Sequence, residues 1–290
     1  MRFWKGQALG NDYLVIDASE SNSGVPEPEV VRALCDRHRG AGSDGVLVGD
    51  PAAEPVTLRI FNPDGSEAEK SGNGLRIFGA WLHLRGLVGE VAFQVTLPGE
   101  TVTMRVESVD RSGARLLRVD MGRAVFRAGA VGFKAADPDD EVVGRPLDVD
   151  GQTVAIHTVS TGNPHCVVFL DPLDPAVFRR FGPALQSHPS FDRGVNVQFA
   201  RVAGPGVLEA LIWERGAGET LASGSSACAV VAAARRAGLV DGERFEVRMR
   251  GGSLEVELDD DYALRLTGPA QIVYEATLDP AVLEAWRRNG

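Results

Sequence analysis

The chain has little that would tie it to a metal, a nucleic acid or a membrane. Its 290 residues include three cysteines, Cys35, Cys166 and Cys228, an odd number without metal-type spacing. All three are expected to be small buried apolar residues. Basic residues are in deficit, 30 Lys and Arg against 40 Asp and Glu, for a net charge of −10. No basic field is present to hold phosphates, which argues against a nucleic-acid partner. No segment approaches the ~18 apolar residues of a membrane span. The opening Met1 to Gly6 lacks the apolar run of a signal peptide. The chain reads as soluble and cytoplasmic, with no metal. P-loop, nucleophile-elbow and zinc motifs are missing. One glycine-rich run, Gly40-Ala41-Gly42-Ser43-Asp44-Gly45, matches the dinucleotide pattern. A helix-like segment precedes it and strand-like Val46 to Val48 follows, the reverse of the strand-then-helix order that cofactor binding requires.

What is present is a repeat. Glu67-Ala68-Glu69-Lys70-Ser71-Gly72 leads to Gly86-Leu87-Val88, and Glu219-Thr220-Leu221-Ala222-Ser223-Gly224 leads to Gly238-Leu239-Val240. The offset is 152 positions (223 minus 71) and also relates Gly10-Asn11 to Gly162-Asn163 and Gly99 to Gly251. A chain of 290 residues suggests two domains at about 150 each. With 44% hydrophobic residues it can fill two ordinary cores. The repeat predicts two similar domains facing each other, each offering a Ser-Gly to one shared site.

The coarse secondary structure repeats as well. Tyr13 to Ile16 and His165 to Phe169 read as short strands. Val30 to Arg39 reads as a helix closed by Gly40, and Thr57 to Phe61 as a strand that meets the turn Asn62-Pro63-Asp64-Gly65. From Asn73 to Arg85 apolar residues fall at helical spacing. The counterpart, Ser226 to Ala237, is Ala- and Val-rich on nearly every face, and such a helix is buried. Val91 to Leu97, Thr101 to Val106, Leu116 to Met121, Phe245 to Met249, Leu254 to Leu258 and Ala263 to Leu266 are strand-like. Ala124 to Asp140 has no clear period and reads as the crossing between domains. The fold class is α+β, with two pseudo-symmetric domains, each a strand-rich shell around one central helix.

The repeated Ser-Gly sits just ahead of a helix in each half. Backbone N–H groups at a helix start bind anions, and the macrodipole adds to this. Gly72-Asn73-Gly74 and Gly224-Ser225-Ser226 could donate to one carboxylate. A lone serine there is more often a plain N-cap, but the duplication and its polar surroundings favour a binding site. Five of the seven asparagines, Asn11, Asn62, Asn73, Asn163 and Asn196, lie in or beside the repeated motifs. Glu214 with Arg215 suits an ammonium and a carboxylate of one ligand, although alone such a pair is usually a solvated surface pair. His165 alone is more often a packed histidine than a catalyst.

Leu9 to Tyr13, Asn62 to Glu67, Ser71 to Arg76, Gly162 to Cys166 and Glu214 to Thr220 together resemble the diaminopimelate epimerase family, in order and over nearly the whole chain. The resemblance implies that each domain, 1–121 with 271–290 and 122–270, is an antiparallel barrel-like sheet wrapped on a central helix. It implies a cofactor-independent isomerase interconverting LL- and meso-diaminopimelate in lysine and cell-wall precursor synthesis. The partner is then a small amino dicarboxylate, and a homodimer is compatible with this reading. The family mechanism uses two cysteines, one per domain. One thiolate removes the α-proton and the opposite thiol returns one to the other face. By resemblance, Gly72, Asn73, Gly224 and Ser225 hold the α-carboxylate. Glu214 serves the α-amino end and His165 lies near the acid–base pair. Asn62, Asn163, Asn196 and Arg215 read the distal end, and Asn11 lines the cleft.

This chain has Ser71 and Ser223 at both cysteine positions. A thiol has an unperturbed pKa of ~8.5 and needs only a modest shift to act as a base. A serine hydroxyl needs a neighbouring base. His165 or Glu214 could serve one serine, and no second base is evident for the other. Cys228 lies five residues into the helix beyond Ser223 and cannot substitute. Ala8 and Ser226 also stand where the family prefers glycine. Alternative readings are a catalytically silent homologue that binds an amino dicarboxylate, or a related isomerase or dehydratase of another amino acid.

Overall fold

The computed structural model describes residues 1–20 and 24–288. It forms two compact units, Met1–Asp120 with Gly268–Gly290, and Met121–Thr267. Unit 1 contains β1 (Arg2–Ala8), β2 (Asn11–Asp17), α1 (Pro28–Cys35), β3 (Val46–Asp50), β4 (Val56–Phe61), β5 (Glu67–Ala68), α2 (Gly72–Leu84), β6 (Phe93–Leu97), β7 (Glu100–Val109) and most of β8 (Arg115–Arg123). Unit 2 contains α3 (Ala128–Val131), β9 (Arg145–Val149), β10 (Gln152–Ser160), β11 (Pro164–Phe169), α4 (Pro175–Gln186), β12 (Asn196–Gly204), β13 (Val207–Glu214), β14 (Gly218–Thr220), α5 (Gly224–Arg236), β15 (Arg244–Met249) and β16 (Gly252–Leu258). The long β17 (Ala263–Thr277) begins in unit 2 and ends in unit 1, where α6 (Pro280–Arg288) follows.

The α+β class holds, and the strand pairing of one unit repeats in the other. In unit 1 the order is β1-β2-β3-β4-β6-β7-β8, and the late part of β17 pairs with β1. In unit 2 the order is β10-β11-β12-β13-β15-β16, with the early part of β17 on β16. The sheets are not purely antiparallel. β2–β3 and β4–β6 pair in parallel, as do β11–β12 and β13–β15. Each parallel step needs a crossover, and a helix supplies it: α1 and α2 in unit 1, α4 and α5 in unit 2.

The central helix of each unit is buried over most of its length. Gly72 through Leu82 of α2 and Gly224 through Ala234 of α5 are all buried. Trp81 stacks on Phe78 and tilts against Trp4, with ring centroids 5.4 Å apart in both cases. Strands approach α2 closely: a Cβ on Gly49 would sit 2.2 Å from the Phe78 ring. All three cysteines are buried.

Three expectations change. The first helix stops at Cys35 rather than Arg39, because the Asp36 side chain takes the N–H groups of His38 and Arg39, both at 2.8 Å, and turns the chain. Residues 124–140 are not a crossing. Ala128, Val131 and Phe133 pack into the core of unit 2. The strand beginning at Ala263 runs on to Thr277. Sequence reading missed α4, whose start is signalled by Asp174-Pro175: the Asp174 carboxylate accepts from Ala176 N–H at 2.7 Å, and Phe178, Phe181 and Leu185 are buried. Asp279-Pro280 starts α6 in the same way, with Ala281 N–H donating to Asp279 at 2.8 Å.

Candidate active site

In unit 1 the candidate residues gather at the start of α2. Ser71 is extended (φ −139°, ψ 116°), which turns the strand-side chain into the helix. Its Oγ accepts from Gly74 N–H at 3.0 Å, the N-cap bond, and from the Tyr13 hydroxyl at 3.3 Å. Asn73 is 4% exposed. Its Oδ1 accepts from the buried guanidinium of Arg76 at 2.8 Å, and its Nδ2 donates to Asn11 Oδ1 at 3.1 Å. Asn11 Nδ2 donates to Asp44 at 2.8 Å. Arg37 then bridges Asp44 (2.6 Å) and Asp12 (2.7 Å), and Lys5 pairs with Asp12. Burial, with the neighbouring Asp12 charge, pushes the Asp44 carboxyl up. Burial works on Asp12 in the same sense, but hydrogen bonds from Arg37 and Lys5 outweigh it and hold that carboxyl below its usual value. Asn62 serves its own turn, with Nδ2 donating to Ser66 Oγ at 3.0 Å.

Unit 2 places its residues around the start of α5. Ser223 is extended in the same way (φ −143°, ψ 129°) but makes no side-chain cap bond. Its Oγ lies 3.5 Å from that of Ser225, which Asn163 Nδ2 approaches at 3.5 Å. Asn163 Oδ1 faces His165 Nε2 at 2.8 Å and accepts from Thr161 at 3.3 Å. Gln198 Nε2 contacts His165 Nδ1 at 3.1 Å and donates to Ser226 Oγ at 2.9 Å. With Gln198 donating, the ring proton sits on Nε2 and points to Asn163. Complete burial pushes the His165 pKa down to about 3, so the ring is neutral near pH 7. Both ring nitrogens are thus engaged by amides.

Asn196 acts as a clamp. Its Nδ2 donates to Pro164 C=O at 3.0 Å and its Oδ1 accepts from Arg215 N–H at 2.9 Å, tying β11 to the turn after β13. Glu214 ends β13, half-buried and paired across to Gly218. The exposed Arg215 guanidinium reaches Arg193 C=O at 3.4 Å. Cys228 is fully buried inside α5.

The structure therefore joins Asn11, Asn73 and Ser71 around one helix start, and Asn163, His165, Ser225 and Ser223 around the other. Sequence reading missed Tyr13, Asp44, Arg76 and Gln198. A lone arginine inside an apolar helix and an aspartate inside a glycine-rich run were usable signals for two of them. Gln198 lies among buried strand residues and gave none. The described residues contain no group of His, Cys, Asp and Glu arranged to hold a metal ion. No helix among them is long and apolar enough to cross a membrane.

The family model for diaminopimelate epimerase matches residues 3–127 and 157–273. The chain is 41% identical over 269 residues to diaminopimelate epimerase 2 of Nostoc sp., covering 92% of both chains. It is 38% identical over 278 residues to the diaminopimelate epimerase of Pelotomaculum thermopropionicum, covering 94% of this chain and 97% of that one. Among solved structures, a hydroxyproline epimerase from Agrobacterium vitis superposes with a TM-score of 0.69 at 15% identity, over 97% of this chain and 94% of that one. A phenazine biosynthesis protein from Bacillus anthracis gives 0.65 at 18% identity, over 96% and 99%. These structural likenesses concern the fold; the family rests on the matching family model and on identity over nearly the full length. The chain belongs to the diaminopimelate epimerase family.

Proposed function

We propose that the chain is a cofactor-independent amino-acid isomerase of the diaminopimelate epimerase type, with diaminopimelate as its ligand. The observation that carries this is 41% identity to a diaminopimelate epimerase over 92% of the chain. N–H groups at the starts of α2 and α5, on Gly72, Asn73, Gly224 and Ser225, suit an α-carboxylate. Neither cap side chain takes one of these donors: Ser71 accepts from Gly74 N–H, and Ser223 makes no cap bond. Glu214 suits the α-ammonium. Asn62, Asn163, Asn196 and Arg215 are the candidates for the distal amino-acid end, and Asn11 for the cleft wall.

Epimerisation needs one group to take the α-proton and a second to return one to the opposite face. Ser71 and Ser223 hold those two places. Each hydroxyl needs a base to act. His165 is neutral near pH 7 and can accept a proton, but only by giving up an amide hydrogen bond and charging a fully buried ring. The serine pair therefore favours a second reading, a homologue that binds diaminopimelate without turning it over.

Exchange of the α-proton of LL-diaminopimelate in D2O, followed by proton NMR, tests the first reading. Deuterium incorporation above the buffer rate supports it, and heat of binding in calorimetry without exchange selects the second. Neither heat nor exchange overturns diaminopimelate as the ligand.

A further inference from the structure

The glycine-rich run Gly40–Gly45 binds no dinucleotide by its context, yet its geometry is tightly specified. A Cβ on Gly42 (φ 72°) would fall 2.9 Å from Arg37 Cα, and one on Gly45 would fall 2.4 Å from Phe61 C=O. Gly42 N–H donates to Leu34 C=O at 2.9 Å, and Asp44 N–H donates to Asp12 C=O at 2.8 Å. These contacts lay the loop along the end of α1 and the start of β2. The side chain delivered there is Asp44.

Asp44 terminates a chain of hydrogen bonds that all point one way. Arg76 donates to Asn73, Asn73 to Asn11, and Asn11 to Asp44. A guanidinium can only donate and an ionised carboxylate can only accept. The two amides between them could each be turned over, but the terminal groups forbid it: a reversed Asn11 would aim its oxygen at the carboxylate, and a reversed Asn73 its NH2 at the guanidinium. Asp44 is itself held by Arg37 at 2.6 Å and by Asp12 N–H at 3.1 Å.

We propose that Asp44 is a positioning residue that fixes the direction of the Asn73 amide through Asn11, with Arg37 holding Asp44 in place. Its bearing on ligand affinity rests on the functional reading above, in which Asn73 and Asn11 meet the substrate. The direction of the amides does not depend on that reading.

The test has a ligand-free arm and a ligand arm. In side-chain 1H–15N spectra of the ligand-free protein, Asp44→Asn shifts the Asn73 amide, two hydrogen bonds away through Asn11. The Asn62 amide, bonded within its own turn, stays in place. In an Asn11→Ala background the same substitution leaves the Asn73 amide unmoved. An Asn73 amide indifferent to Asp44→Asn, or equally shifted without Asn11, overturns the proposal. If Asp44→Asn does not fold, Arg37→Met gives the same readout by releasing the carboxylate. In calorimetry with meso-diaminopimelate, Asp44→Asn weakens binding about tenfold or more, and unchanged affinity removes the claim on the ligand. A parent protein that takes up no diaminopimelate sinks the functional reading alone, because the ligand-free spectra still decide the role of Asp44.

Discussion

At matching places in the repeat, α2 carries Arg76 and α5 carries Cys228. That one exchange changes the character of the whole site in each unit. In unit 1 the polar chain has charged ends, Arg76 and Asp44, so every hydrogen bond between them has a set direction. In unit 2 the matching places hold neutral groups that can both give and take: Ser225 for Asn73, Ser226 for Gly74, His165 for Tyr13. Gln198 completes that chain, and its Oε1 is buried with no hydrogen-bond partner. Turning this amide over keeps both of its bonds, with His165 Nδ1 and the Ser226 hydroxyl now donating. His165 then offers Nε2 as an acceptor and Asn163 turns in response. The charged ends of unit 1 thus fix the direction of its hydrogen bonds, whereas the neutral groups of unit 2 do not by themselves set one.

The largest effect tests whether the scaffold has kept its reaction. Ser71→Cys with Ser223→Cys raises α-proton exchange of diaminopimelate in D2O by on the order of 10²–10⁴ for each transferring group. A thiol at a helix start is an acid of lowered pKa. No gain in the double variant would mean that the two polar chains, and not only the two hydroxyls, have left the reaction behind.

The next effect separates the units by pH. His165 is depressed in the folded state, mainly by burial, to about 3 from 6.5. A base with a lowered folded pKa contributes stability that is full above the unfolded value, near 6.5, and is lost as pH falls toward the folded one. The slope reaches about 1.4 kcal/mol per pH unit in that window. Urea midpoints at pH 7 and pH 4 should converge in His165→Gln relative to the parent. His157, also lowered by burial, remains in both proteins and cancels. An unchanged difference between the midpoints would show that the ring is not held neutral in the folded state.

Arg76→Met measures the charged chain directly. It removes a donor from the buried Asn73 Oδ1, at a cost of about 1–3 kcal/mol. Cys228→Ala, at the matching place, removes only a small apolar group and costs about 1 kcal/mol. Equal losses in chemical denaturation would erase the distinction between the two chains.

Much of this was legible in the residues. The 152-residue offset located both helix starts, and the apolar faces of α2 and α5 announced buried central helices. What escaped were contacts that join distant strands. Gln198 meets His165 across 33 residues, and Asn11 meets Asp44 across 33. Nothing in the local pattern of either segment encodes such a partner, because strand pairing decides it. The parallel β11–β12 step places Gln198 beside Val167, two residues beyond His165. The first helix was overrun for a local reason: helical spacing continues past Cys35, and only the competition from Asp36 for backbone N–H groups ends it.

The smallest effect asks whether the two serines are equivalent. Both precede a 13-residue helix with nearly the same backbone angles. Ser71 spends its oxygen on the Gly74 N–H at 3.0 Å and receives the Tyr13 hydroxyl at 3.3 Å, whereas Ser223 makes no cap bond. Ser71→Ala therefore loses an N-cap and costs about 0.5–2 kcal/mol. Ser223→Ala gives up no cap and costs less, losing only the 3.5 Å contact between its Oγ and that of Ser225. Chemical denaturation of the two single variants measures the gap. If Ser71→Ala is markedly the costlier, its hydroxyl is committed to the helix and Ser223 is the one left for a ligand. Equal costs would mean that the cap contributes nothing at α2.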